Sequence, residues 1–368
     1  MKVKFIGLIS FICLVLTLSS CEINFSSFFN DPVQKEEPIE PEPSNSDEPI
    51  VEPSNPDEPI VEPSNPIDPL EPIIDPVEPD DKDGIPFYGY LDLERYEKKE
   101  AYKAFYNDIL KAENKFLNSK DDINPTPITN GGETKNYYVI EDVSFKSYDI
   151  SINEAQAIYR ILNFDHPEFY FISNSIVTTS KKDLRIIIDD IYAKNSLRQS
   201  IASKLLEFES GLNLDGMSDY NKIKTIHDYI ILKSSYALDS SSSPETAVWA
   251  HNYTGIVLYG KGVCEAYSEL FSLLCRHNNL YPITVTGIGK ANGSQDNHEW
   301  NYVMLEDKWY GMDVTWDDTA MTNDYFLCGS DVLDLDHGPF LSYDLYTSGI
   351  NYVYALPELS HSKYVSQD

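Results

Sequence analysis

Three short blocks fix the geometry that this chain has to reach. Gly260-Lys261-Gly262-Val263-Cys264 leads into a stretch with apolar residues at Ala266, Tyr267, Leu270, Phe271 and Leu274, a spacing that predicts a helix opening at or just after Cys264. His298 opens an alternating run through Trp300, Tyr302 and Met304. Lys308 to Val314 forms a second run, closed by Asp313, and Glu306-Asp307 between the two is of hairpin length. Strands joined so tightly bring His298 and Asp313 to one end of a ribbon, and the helix has only to lie across that end for Cys264 to join them. The expected fold class is therefore α+β, with a cysteine-bearing helix packed on an antiparallel sheet.

Cysteine, histidine and aspartate then stand in the order of a nucleophile, its base and the orienter of that base. A thiol at a helix N-terminus feels the positive end of the macrodipole, which favours the attacking thiolate. The backbone N–H of Cys264 supplies one oxyanion donor, and Tyr253 or Tyr259 is a candidate for the second.

The same residues carry a family resemblance over about Tyr220 to Ser330. Gly260 to Ser268, His298-Glu299-Trp300-Asn301 and Trp309 to Asp318 resemble the nucleophile, histidine and aspartate segments of the transglutaminase-like domain of bacterial exported proteins. Asn221 to Ile230 resembles the helix upstream of the nucleophile, and Asp165-His166-Pro167-Glu168-Phe169-Tyr170-Phe171 resembles the segment that precedes this domain in many exported members. The resemblance implies a papain-like core with Cys264, His298 and Asp313 as its triad. Two departures stand out. Ala266 and Ser268 replace a usual Gly and Ala, and Glu299 replaces the usual Ala beside the histidine. On a strand Glu299 points away from the face of His298, so an unpaired carboxylate there is costly if that face is buried.

The N-terminal part of the chain differs in kind. Lys2 and Lys4 precede an apolar run from Phe5 to Leu18, which reads residues 1–20 as a signal peptide too short for a spanning helix. Leu18-Ser19-Ser20-Cys21 resembles the lipobox of bacterial lipoproteins, which implies lipidation of Cys21 and anchorage to the outer face of a bacterial membrane. Residues 32–86 hold 15 of the 22 prolines, and Ser44 to Pro53 repeats as Ser54 to Pro63. So few large apolar residues cannot bury enough surface to fold, so residues 21–86 read as a lipidated cysteine followed by a disordered tether. At about 3 Å per residue, some 55 residues of it reach roughly 170 Å when extended. Residues 22–86 carry 19 acidic residues against 2 lysines, out of a net charge of −32 for the chain. That balance excludes nucleic acid and anionic lipid surfaces as partners and leaves the N-terminal lipid as the only membrane contact.

Residues 87–215 read as an α+β accessory region, with one long surface helix from Leu91 to Leu117, a strand over Tyr137 to Tyr148 and a helix over Ile152 to Leu162. Residues 216–335 are the catalytic-type core, and residues 336–368 a short tail packing back on it. Cys275 and Cys328 read as core thiols, since three cysteines after Cys21 make no disulfide framework. His227 reads as a structural histidine, Asp317 and Asp318 as turn residues, and Trp300, Trp309 and Trp316 as core aromatics, with the lining of a substrate groove as the alternative. No CxxC or HxxxH pair has zinc spacing and no EF-hand loop occurs, so neither a metal nor another cofactor is expected. Two functions remain open. One is a monomeric cell-surface acyl transferase or hydrolase acting on protein or peptide amides, cell-wall peptide among them. The other is an inactive binding module of the same fold on a lipoprotein stalk.

Overall fold

The computed structural model describes residues 21–24, 87–130, 132–173, 175–291, 293–339 and 355–366. The signal peptide and tether residues 25–86 lie outside the described residues. Cys21–Asn24 forms β1, the edge strand of a sheet, pairing antiparallel with β4 (Ser175–Thr178). Main-chain pairing at an open sheet edge is indifferent to side chains, and it takes these four residues out of the tether.

In the accessory region the expected long helix is interrupted. α1 (Tyr88–Asp92) and a 3-10 turn (Leu93–Arg95) end where Tyr96 turns extended, and α2 (Lys99–Leu117) starts anew. Tyr96 buries its ring edge-on to Tyr102, 5.8 Å between centroids, so packing wins over helical continuity. β2 (Thr126–Asn130) and β3 (Glu133–Ser144) form a hairpin. α3 (Ile152–Asp165) opens on a capping box between Ser151 and Glu154. With β5 (Asp183–Ile188) the sheet runs β1-β4-β5-β3-β2, and α4 (Asn195–Ser210) leads out of it.

α5 (Asp219–Lys233), capped by Ser218, begins the second half. β6 (Ser235–Tyr236) lies parallel to β7 (Lys261–Gly262), and between them α6 (Thr254–Tyr259) stops at Gly260, whose φ of 65° is left-handed. α7 (Cys264–His277) packs on a sheet of order β10-β9-β8-β11, made of β8 (Tyr281–Ala291), β9 (Ser294–Leu305), β10 (Lys308–Met312) and β11 (His337–Pro339). Glu306 and Asp307 have φ of 51° and 59°, the twist of a two-residue hairpin turn. Tyr267, Leu270, Phe271 and Leu274 of α7 are fully buried, each contributing about 1.5–3 kcal/mol relative to exposure.

Buried residues of both regions share one hydrophobic cluster from Phe87 to Leu333, with a small second cluster of Ala237, Ala250 and Val263. Arg276 of α7 lies 3.5 Å over the Phe87 ring, and Tyr192 bonds Asn252 and Thr254. β11 lies beyond the boundary at residue 335 drawn from sequence, so the core extends past it. Further on, the N–H of Ser360 donates to the Trp309 carbonyl, and Tyr364 stacks on Tyr220. Among the described residues no helix is long and apolar enough to cross a membrane.

Candidate active site

α7 starts at Cys264 because Val263 is extended and its carbonyl accepts the N–H of Ala266 (3.0 Å). Gly262 permits the turn, since a Cβ there would sit 2.4 Å from the Ala266 methyl. The Cys264 side chain is buried, and its sulfur lies against the backbone N–H of Glu299, the residue that follows His298.

His298 lies within β9, not at its start as the alternating run implied, and its ring is stacked between the indoles of Trp300 and Trp316 at centroid distances of 5.9 and 5.1 Å. Trp316, read from sequence as core, is therefore a wall of the site. Asp313 is the N-cap of α8 (Val314–Ala320), and its Oδ1 accepts the Trp316 N–H at 3.1 Å. Its Oδ2 accepts Nε2–H of His298 at 2.7 Å and Nε2–H of His337 at 3.0 Å. Burial opposes ionisation of Asp313, but the charge and hydrogen bonds of the two histidines outweigh it and hold the carboxyl well below the usual range.

His337 was not among the residues picked from sequence. It arrives on β11, a three-residue strand beside β8, and its Nδ1 faces Asp336 Oδ1 at 2.7 Å. Its two ring nitrogens thus bridge Asp336 and Asp313, so His337 braces Asp313 from behind. β11 can approach because Gly287 has no side chain; a Cβ there would meet the Gly338 carbonyl at 2.4 Å. The facing ligand atoms of His298, Asp313 and His337 lie within 4.8 Å of one another, a grouping that could close on a cation and that no local spacing encodes. The separations of 2.7 and 3.0 Å are those of hydrogen bonds. Replacing His337 by Gln is expected to slow turnover by about 10–100-fold, the effect of partners that orient functional histidines. Steady-state kcat with an unchanged KM checks it.

The two tyrosines proposed for the oxyanion are placed elsewhere. Tyr259 is half exposed and packs edge-on to Trp249, while Tyr253 packs its ring on Tyr170 and uses its N–H on Glu269. The tyrosine beside the thiol is Tyr236, paired with Gly262 in the short parallel ladder. Burial first, then Cys264, Glu265, Asp296 and Asp313, push its pKa far up, so it remains an O–H donor. Tyr236 closes a two-residue strand with no periodicity around it, so nothing local marks it.

The remaining histidine and aspartates behave as structural residues. His227 is fully buried between Asp228 (2.9 Å) and Asp317 (3.1 Å); Asp317 also accepts the Tyr325 N–H, and Asp318 accepts the Tyr267 hydroxyl. Cys275 and Cys328 are buried free thiols.

The thiol itself departs from expectation. Burial pushes the Cys264 pKa well above its ordinary value, and Glu265 and Glu299 add to the rise. A helix terminus contributes about 0.3–1 kcal/mol toward the anion, whereas desolvating a charge costs several, so burial wins. The resting group is a neutral thiol. Alkylation of Cys264 by iodoacetamide in the folded protein should thus be slow at pH 7 and climb only above pH ~8.5, where an unperturbed thiol ionises. A rate already at its plateau at pH 7 would contradict this.

A helix-borne cysteine across an antiparallel sheet that carries a hydrogen-bonded His–Asp pair defines the class of the site. Residues 208–314 match the family model of the transglutaminase-like superfamily, so this segment is a transglutaminase-like domain with an α+β, papain-like core. That superfamily is typically one of cysteine-based enzymes. Among curated proteins the chain is similar to kyphoscoliosis peptidase of Mus musculus, 29% identical over 125 residues, and of Homo sapiens, 30% identical over 135 residues. These alignments cover 32% and 34% of this chain, which spans only 19% and 20% of the relatives' length. A solved structure described as a TGase aligns over 38% of this chain and 43% of its own, at 14% identity and a TM-score of 0.26.

Proposed function

We propose that the chain is a cysteine-nucleophile acyl transferase or hydrolase of the cell surface, acting on protein or peptide amides. The observation that carries this reading is the buried His298–Asp313 hydrogen bond beside a thiol at a helix start. With Nε2 committed to Asp313, Nδ1 of His298 is the nitrogen that exchanges a proton with Cys264. As substrate enters, His298 takes the thiol proton and the sulfur bonds to the carbonyl carbon. The Cys264 backbone N–H and the Tyr236 hydroxyl receive the developing oxyanion. His298 then returns the proton to the leaving amine, and water or a second amine resolves the thioester. Trp300 and Trp316 keep the imidazolium dry and face it with π density. The lipobox-like Leu18-Ser19-Ser20-Cys21 supports anchorage to a membrane through Cys21, and with Cys21–Asn24 paired at the sheet edge that anchor lies beside the accessory region, with no stalk between them.

One observation favours the second reading, an inactive binding module: the carboxyls of Glu265 and Glu299 oppose the thiolate. The test incubates the full chain with a glutamine peptide, with and without a primary amine, and follows product masses. A gain of the amine's mass means transamidation, and cleavage or a one-unit gain means hydrolysis. No product from glutamine donors, proteins or wall peptides, with Cys264 inert to alkylation at high pH, sinks the enzyme reading.

A further inference from the structure

β9, the N-cap of α8 and β11 each deliver one group to the same point. His298 and His337 turn their Nε2 atoms to one oxygen, Asp313 Oδ2, at 2.7 and 3.0 Å, and the three atoms lie within 4.8 Å of one another. The two imidazoles are 5.5 Å apart between centroids and tilted by 48°, so they converge without stacking. All three residues are buried. A brace for Asp313 needs only one further donor. Two imidazoles closing on a single carboxylate oxygen also make the donor set of a zinc site.

The surroundings match that use. Histidines that bind metals give one nitrogen to the ion and the other to a carboxylate, and ligating carboxylates are hydrogen-bonded in turn. His337 has its Nδ1 on Asp336 Oδ1 at 2.7 Å. Asp336 is itself fixed by the Tyr325 hydroxyl, which donates to its Oδ2 at 2.6 Å. Asp313 Oδ1 accepts the Trp316 N–H at 3.1 Å, which leaves Oδ2 to face the imidazoles. Trp316 packs on His298 and His337 at 5.1 and 4.3 Å, and Tyr325 packs on His337 at 5.1 Å, so an aromatic wall holds both rings. Ligands at about 2.0–2.2 Å from a tetrahedral zinc stand roughly 3.3 Å from one another. From 2.7 and 3.0 Å, the carboxylate oxygen has to retreat by only about half an ångström to reach that spacing.

We propose that His298, Asp313 and His337 form a zinc site whose occupation switches the acyl-transfer centre off. Two nitrogen donors select zinc over magnesium or calcium, which prefer all-oxygen shells. In acyl transfer, Nε2 of His298 keeps its proton toward Asp313 while Nδ1 takes the proton of Cys264. Zinc forms its bond to Nε2, and the proton displaced from there bonds to Nδ1 of the same ring. The base is then already protonated at the nitrogen that faces the thiol, and Asp313 is committed to the ion. The zinc site stands on geometry alone; only the switch rests on the acyl-transfer reading.

The test is calorimetric titration of the full chain, free of any histidine tag, with zinc chloride and with magnesium chloride. One zinc per chain and no saturable magnesium heat are expected. His337→Gln should lose that stoichiometric binding, and Asp336→Asn, which keeps all three ligands but loosens His337, should weaken it by about 10–100-fold. Cys264→Ala should bind zinc as the parent does, which separates this site from capture of the ion by the nucleophile's thiol. Cobalt in place of zinc should give visible d–d absorption that disappears in His337→Gln. No saturable zinc binding, a matching magnesium isotherm, undiminished binding in His337→Gln, or loss of binding in Cys264→Ala overturns the proposal. Should His337→Gln fail to fold, Asp336→Asn and Cys264→Ala decide the matter. None of these readouts needs turnover, so they stand even if the acyl-transfer reading fails. Where turnover is present, one equivalent of zinc should abolish it and EDTA restore it; full turnover of the zinc-loaded chain overturns the switch.

Discussion

Cys264→Ala removes turnover to the background of the assay, a loss on the order of 10⁶-fold if the site works as a triad does elsewhere. The other cysteines cannot substitute, because Cys275 and Cys328 are buried on α7 and beside β10. His298→Ala is expected to cost nearly as much, and the double variant no more than either alone, since residues that act as one unit lose their effect together. Product mass measured on the three proteins, with thermal midpoints to confirm folding, checks this. Losses that multiply in the double variant would mean that the two side chains do not act on one proton.

Asp313→Asn should lower kcat by about 10⁴-fold, the effect of a mis-set histidine tautomer. Here it should also reduce stability, by about 3–5 kcal/mol, the range for breaking a buried charged pair. Asp313 accepts three donors, from His298, His337 and Trp316. An asparagine offers one oxygen and an NH2 group that must face either two imidazole N–H groups or the start of α8. Steady-state kinetics and denaturant melts measure the two effects separately. A kcat within tenfold of the parent would show that His298 is held by something else.

What could be read from the sequence follows the range of the forces involved. The start of α7 at Cys264, the run containing β9 and the two-residue turn at Glu306-Asp307 are products of local periodicity and turn chemistry, and they were legible. The opposite facing of His298 and Glu299 was legible too, because alternation along a strand is local. His337 was not, because β11 is three residues long and is held by Gly287, fifty positions earlier in the chain. Tyr236 was hidden for the same reason, its place set by pairing with Gly262. The break at Tyr96 comes from packing against Tyr102, where propensity alone favours one helix. The thiol's protonation state was misjudged because a helix terminus shows in sequence whereas desolvation is a property of the assembled core.

The strand that delivers His337 has a consequence in time. Cys264, His298 and Asp313 all lie within residues 208–314, but the brace behind Asp313 comes from residue 337. During synthesis from the N-terminus, the helix and hairpin can form while Asp313 still has only one of its two imidazole partners. The nascent site therefore lacks half of Asp313's imidazole support until translation has passed β11. Any chain shortened ahead of His337 would keep that juvenile form for good.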